Sequence, residues 1–211
     1  MARSRSAERP VVSAREAGAA EHAAVAGVLA DAFHVDRAFR FIVPDAARRT
    51  RALAAFFARI TPQDADAGPV DVAAGEDGVV RGAALWQAPG FRTPAVRPLA
   101  ETVAMLRIFG VGTWRAAVVD HAVTGHIPPD HRFWWLHYLG VGSAHQGLGV
   151  GSRLLEQGVA RADADRMPCW LEASDPDNVR LYERFGFRTA CEYDTPFGGP
   201  HFWGMWRPVG G

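Results

Sequence analysis

The stretch HQGLGVGSRLL, His145 to Leu155, packs three glycines into five positions, at 147, 149 and 151. Glycine lowers helix stability and adds nothing to a core. Just before the run stands FWWLHYLGV (Phe133–Val141), aromatic and β-branched, which reads as a buried strand. After it, Leu155, Val159 and Ala162 recur at helical spacing, which predicts a helix over Gly151–Ala162. Glycines at such a strand-to-helix junction leave main-chain N–H groups open at the positive end of the helix dipole, and an anion can approach them with no Cβ in the way. A tight turn is the alternative, but one glycine ordinarily suffices for that.

The pattern narrows the ligand. A Walker loop needs Gly-Lys-Ser/Thr, and the chain has no lysine. A dinucleotide fingerprint needs a sixth-position glycine after Gly147, where Ser152 stands. What remains is Gln146-Gly147-Leu148-Gly149-Val150-Gly151, a Q-x-x-G-x-G pattern. It resembles the acyl-coenzyme A pyrophosphate loop of the GNAT superfamily of N-acetyltransferases. NVRLYERFGF (Asn178–Phe187) resembles a second motif of that family, and HYLGV resembles its fourth strand, whose backbone pairs with the pantetheine arm. The three pieces follow in family order across Phe133–Phe187. HQGLGVGS, WLEASDPDNVRLYERFGF and FWGMWRP are most similar to puromycin N-acetyltransferase-like members.

The flanking sequence reads as strands and helices in the order β α α β β α α β α β α β β. Val11–Arg15 is a candidate strand; Val25, Val28, Leu29 and Phe33 mark a first helix, and Arg48–Ile60 a second. Val70 and Val72 alternate ahead of a Glu76-Asp77-Gly78 turn, and Val79–Gln87 returns as a hairpin. Leu99–Phe109 and Thr113–Thr124 form a helical pair broken at Gly110-Val111-Gly112. Cys169–Ala173 is a short strand and Asp177–Phe185 a short helix stopped by Gly186; a second hairpin pairs Phe187–Tyr193 with His201–Arg207. Two hairpins around one βαβ unit predict an α/β fold with a mixed sheet. The resemblance implies the acyl-CoA N-acyltransferase fold, mostly antiparallel and splayed between strands 4 and 5. Residues 1–9 read as a disordered lead and 10–208 as one domain.

With Lys+Arg and Asp+Glu both 23, the chain carries no net charge and shows no basic stripe, which argues against nucleic acid. The longest apolar runs fall short of a membrane span, and the N-terminus has no apolar core, so a cytoplasmic protein is expected. Cys169 and Cys191 have neither disulfide nor metal spacing, the histidines show no H-x-x-x-H pattern, and no metal is expected. A last strand rich in Phe and Trp could pair across a homodimer.

The resemblance implies transfer of the acetyl group of acetyl-CoA to an amine. An alkyl amine has a pKa near ~10, so about one molecule in a thousand is neutral at pH 7, and a base is useful. Tyr182 matches the family's general acid toward the coenzyme A sulfur. Asn178, one turn earlier, either bonds the pantetheine or caps its helix. The loop residues Gln146, Gly147, Leu148, Gly149, Val150, Gly151 and Ser152 and the strand residues Leu139, Gly140 and Val141 would hold the cofactor. His137 is a candidate base, matching in position a histidine of the arylalkylamine acetyltransferases, or else a core histidine. By strict alternation it shares a face with Trp135, Leu139 and Val141 unless a bulge near Gly140 shifts the parity. Glu172, ending the next strand, is a second base or a steering carboxylate. Phe33, His34, Phe202 and Trp203, with Phe39, Phe41 and Phe197, are candidates for an aromatic acceptor pocket. A peptide acetyltransferase and a non-catalytic acyl-CoA sensor are the competing readings.

Overall fold

The computed structural model describes residues 12–91, 99–130 and 132–211. Val11 of the first candidate strand and the lead over residues 1–9 lie outside them. Seven strands form one sheet: β1 (Val12–Glu16), β2 (Val70–Gly75), β3 (Val80–Gln87), β4 (Trp134–Val141), β5 (Cys169–Ala173), β6 (Arg188–Asp194) and β7 (His201–Arg207). Their order is β1-β2-β3-β4-β5-β7-β6, and every neighbouring pair is antiparallel except β4–β5. The helices are α1 (His22–Ala32), α2 (Arg37–Ile42), α3 (Ala46–Ala67), α4 (Leu99–Phe109), α5 (Thr113–Thr124), α6 (Val150–Ala164) and α7 (Pro176–Glu183).

The sheet is covered on both faces. Val25 and Leu29 of α1 and Leu53 and Phe57 of α3 pack with Val72, Ala83 and Leu85 on one side. Leu154, Leu155 and Val159 of α6 pack with Ala73, Ala84 and Trp86 on the other. This double cover explains why β2 is buried throughout Val70–Ala74 rather than on alternate residues. Even Asp71 is fully buried, where it accepts hydrogen bonds from Arg161 at 2.6 Å and Gln157 at 2.7 Å, both on α6. The helix comes so near the sheet that a Cβ on Gly158 would overlap the indole of Trp86. Cys169 is buried and Cys191 half-buried, both as free thiols.

Three departures from the expected elements shape the site. The helix read over Arg48–Ile60 continues through Pro62 to Ala67, because Thr61, Asp64 and Ala67 are buried along its last turns. That tertiary packing outweighs the backbone bond a proline forgoes. A short helix, α2, was not expected; Asp36 caps it, its Oδ1 accepting from the Ala38 and Phe39 N–H groups at 2.9 and 3.0 Å. Finally, Leu99–Thr124 is long and apolar enough, by length and composition, to cross a membrane, contrary to the expectation of short runs. It is not one rod: Gly110, at φ +53°, opens the turn that divides it into α4 and α5. Each half measures roughly 17 Å against a bilayer core of about 30 Å.

The sheet parts where a fourth and a fifth strand would splay. β4 pairs with β5 only from Trp134↔Cys169 to Leu136↔Leu171, and both strands then run on separately. On its other side β4 slips against β3: Tyr138 faces Leu85 while Leu136 faces Trp86, so His137 is an extra, bulged residue.

Candidate active site

Where β4 and β5 separate, two cavities meet. The first holds about 450 Å³ and the second about 630 Å³; Phe33, Asp36, Leu139 and Asn178 line both.

The second cavity lies along the free end of β4 and the start of α6. Gly147 and Gly149 sit at φ +74° and +82°, a left-handed backbone that side chains rarely adopt, and nothing stands within 4 Å of where either Cβ would be. Gly149 is the residue preceding α6, and no side chain caps the helix there. The open glycine backbone and the uncapped helix start therefore present N–H groups to a bound anion. The loop is held from beneath: Asp31 of α1 accepts from the Ser143 N–H at 2.6 Å and from its hydroxyl at 3.2 Å. The Gln146 side chain donates to the Val141 carbonyl at 3.3 Å. Of the residues expected to hold a cofactor, all line this cavity except Leu148, which faces solvent. Asn178 is not the helix cap; Asp175 is, accepting from the Asp177 N–H at 3.0 Å.

The first cavity is walled by aromatic residues, among them Phe33, Phe39, Phe56, Trp135, Tyr138 and Phe202, and is bounded by α4 and α5. Glu172, His137, Tyr182 and Asp36 are among the polar side chains that enter it. Glu172 accepts from the indole N–H of Trp170 at 2.5 Å and of Trp135 at 2.9 Å. Burial pushes its carboxyl up to about 7, against the two indole donors and any charge on the nearby His137, which favour the anion. His137 turns Nδ1 to Asp64, 2.8 Å from Oδ2, and Gln87 donates to Oδ1 of the same carboxylate at 2.9 Å. Tyr182 on α7 is buried, and burial, reinforced by the negative charge of Asp36, holds its hydroxyl above the ordinary phenol range. Asp36 receives the Ser174 hydroxyl at 2.5 Å, tying α2 to the end of β5; burial raises this carboxyl, while that hydroxyl and the two α2 N–H groups lower it.

The structure thus brings Tyr182, His137 and Glu172 to one cavity, with Phe33 and Phe202 in its wall. It does not bring His34 or Trp203 there. His34 bonds the Ala46 carbonyl at 3.2 Å, and Trp203 packs near His201 on the sheet face. Phe39 lines the cavity, whereas Phe41 and Phe197 flank Trp114 outside it. The expected alternation along β4 fails at His137: Leu136, Leu139 and Val141 pack with the α6 face, while Trp135 packs with Phe133 and Trp170. The bulge is the cause, three residues earlier than Gly140. Asp64, Asp36 and Gln87 were missed. Asp36 carried a signal, an aspartate opening an amphipathic Phe39–Ile42 segment; Asp64 lay beyond a proline that reads as a helix end.

The family model described as "Acetyltransferase (GNAT) family" matches residues 63–187. A crystal structure titled as histone acetyltransferase HPA2 and related acetyltransferase from Corynebacterium glutamicum is 28% identical, with a TM-score of 0.72 over 94% of this chain and 96% of that one. Arylalkylamine N-acetyltransferase 2 of Aedes aegypti shares the fold at 14% identity and a TM-score of 0.62, over 94% and 99% of the two chains. The polyamine N-acetyltransferase of Drosophila melanogaster does so at 17% identity and 0.62, over 94% and 100%. An uncharacterized N-acetyltransferase of Schizosaccharomyces pombe is 40% identical over 58 residues, 28% of this chain; the match spans about a quarter of that relative (24%).

Proposed function

The chain belongs to the acetyltransferase (GNAT) family, and from that premise we propose that it transfers the acetyl group of acetyl-CoA to a primary amine of a small, apolar or aromatic molecule. The observation that carries this reading is the junction of the two cavities at Leu139 and Asn178: an anion-binding glycine loop on one side, an aromatic pocket with a buried carboxylate on the other. The loop fits the pyrophosphate of coenzyme A, since its two left-handed glycines leave the backbone open. β4 no longer pairs with β5 beyond Leu136, and its Leu139–Val141 end lines the second cavity, where the pantetheine amides would pair with it.

When bound, acetyl-CoA supplies a thioester whose carbonyl carbon accepts the amine nitrogen as the carbon–sulfur bond breaks. The aromatic wall holds the body of the acceptor, and Glu172 attracts its ammonium group, which gives up one proton to water before the neutral nitrogen attacks. His137 takes the proton of the attacking nitrogen at Nε2. Tyr182 gives its hydroxyl hydrogen to the departing sulfur; a phenol held above its usual range stays protonated until that charge develops. The proton on His137 then restores Tyr182 through water, so each turnover converts amine and thioester into amide and thiol.

A cavity of about 450 Å³ with α4 and α5 along its wall favours a small molecule over an extended peptide. The test is thiol release from acetyl-CoA with puromycin, arylalkylamines, aminoglycosides, polyamines and short peptides. Turnover of aromatic amines is expected; turnover of peptides alone would overturn the acceptor class, and coenzyme A binding without turnover on any amine would favour a sensor.

A further inference from the structure

We propose that Asp64, itself held by Gln87, is a positioning residue that fixes the tautomer of His137 and so presents an unprotonated Nε2 to the acceptor cavity. This rests on the acetyl-transfer reading above, in which His137 takes the amine proton.

The distances leave one assignment of hydrogens. A carboxylate only accepts hydrogen bonds. Nδ1 of His137 stands 2.8 Å from Oδ2 and 3.0 Å from Oδ1 of Asp64, so Nδ1 carries the hydrogen. In a neutral imidazole the other nitrogen is then the acceptor. Gln87 Nε2 also lies 3.0 Å from Nδ1; one of its two hydrogens goes to Oδ1 of Asp64 at 2.9 Å, and giving the other to an unprotonated Nδ1 would set that nitrogen's lone pair 2.8 Å from the carboxylate, which repulsion disfavours. Asp64 and Gln87 are 3% and 5% exposed, so water does not compete for these bonds. Only His137 of the three lines the acceptor cavity, and the nitrogen remote from Asp64 is the one available there.

Three elements make this arrangement. α3 delivers Asp64 only because it continues past Pro62. β3 delivers Gln87 as its last residue, and the bulge takes His137 out of the alternation of β4. The rings of Trp135 and Tyr138, at 4.8 and 4.2 Å, flank the imidazole. Glu172 and Tyr182 share the cavity, but the Glu172 oxygens are engaged by two indoles, which leaves Asp64 as the carboxylate that orients the ring. It also balances the imidazolium that forms when the amine proton arrives.

The experiment is ¹⁵N-histidine NMR combined with kinetics. In the unaltered protein the His137 ring is expected as the Nδ1–H tautomer; an Nε2–H ring would overturn the proposal without any variant. In Asp64→Asn, the Gln87 donor holds the new amide oxygen, so the amide NH₂ faces Nδ1 and donates to it. The ring should switch to Nε2–H, and kcat should fall on the order of 100-fold with little change in the amine KM. An unchanged tautomer with normal kcat would refute the role. His137→Ala with full turnover would bring down the base assignment itself while the tautomer signal stood, which separates the two failures.

Discussion

The indole N–H of Trp135 donates to Glu172 at 2.9 Å across the line where β4 and β5 part. With Trp170 on the other oxygen, the carboxyl is stitched into the gap that the split sheet leaves, and burial there pushes it up to about 7 from its ordinary 4.5. The folded protein therefore holds this proton more tightly than the unfolded chain. Its contribution to stability is fully present below about pH 4.5 and is lost as pH rises to about 7, a loss of roughly 3 kcal/mol. Glu172→Gln removes the titration. Urea unfolding from pH 4 to 8 should show the unaltered protein weakening across that window more steeply than the variant, in which the remaining raised groups still titrate; equal slopes would assign the titration to another group.

Gly149→Val should weaken coenzyme A binding at least about tenfold, or 1.4 kcal/mol, by calorimetry. Its backbone is left-handed at φ +82°, and the space a side chain would fill is the space a phosphate would take. Gly151 differs: a Cβ there meets Val141 at an ordinary 3.5 Å, and its φ is not positive. Gly151→Ala should therefore fold at least as stably as the parent, with a smaller loss of affinity. Equal affinity in Gly149→Val and the parent would remove the loop as the phosphate site.

Gly158→Ala tests the packing of α6 on the sheet. Helix propensity alone predicts a gain of about 1 kcal/mol. Against it, the added methyl would overlap Trp86, which is fully buried and has nowhere to move. Overpacking of this kind costs about 1–3 kcal/mol, so a net loss of stability is expected. A gain in the midpoint of chemical unfolding would show that α6 can shift away from β3.

The order of strands, the glycine loop and both hairpins were legible because each is signalled locally, by alternation, by a helical period or by a glycine at a turn. The chemistry around His137 was not. Its face depends on a register slip between β3 and β4 that no local pattern announces. Its partner Asp64 stands after Pro62, where propensity says a helix has ended, and only burial against the sheet carries α3 onward. Asp36 and Ser174 lie 138 positions apart and meet through the fold alone. Aromatic residues misled in the other direction: Trp203 and Phe202 are neighbours, but strand alternation sends one to the α6 face and the other to the cavity.

Tyr182→Phe separates chemistry from binding. Tyr182 lines the aromatic cavity and not the one along the glycine loop, so coenzyme A affinity should stay within about twofold of the parent. Phe keeps the ring that packs against Phe187 at 6.0 Å, and the fold should hold. What is lost is the hydrogen given to the leaving sulfur, and kcat should drop about 10- to 100-fold. The loss should shrink with an acyl donor whose thiol is more acidic, since a better leaving group needs less help. Undiminished kcat would leave the sulfur to be protonated by water and would take Tyr182 out of the reaction; a loss of the same size for every thiol would reduce it to a packing residue.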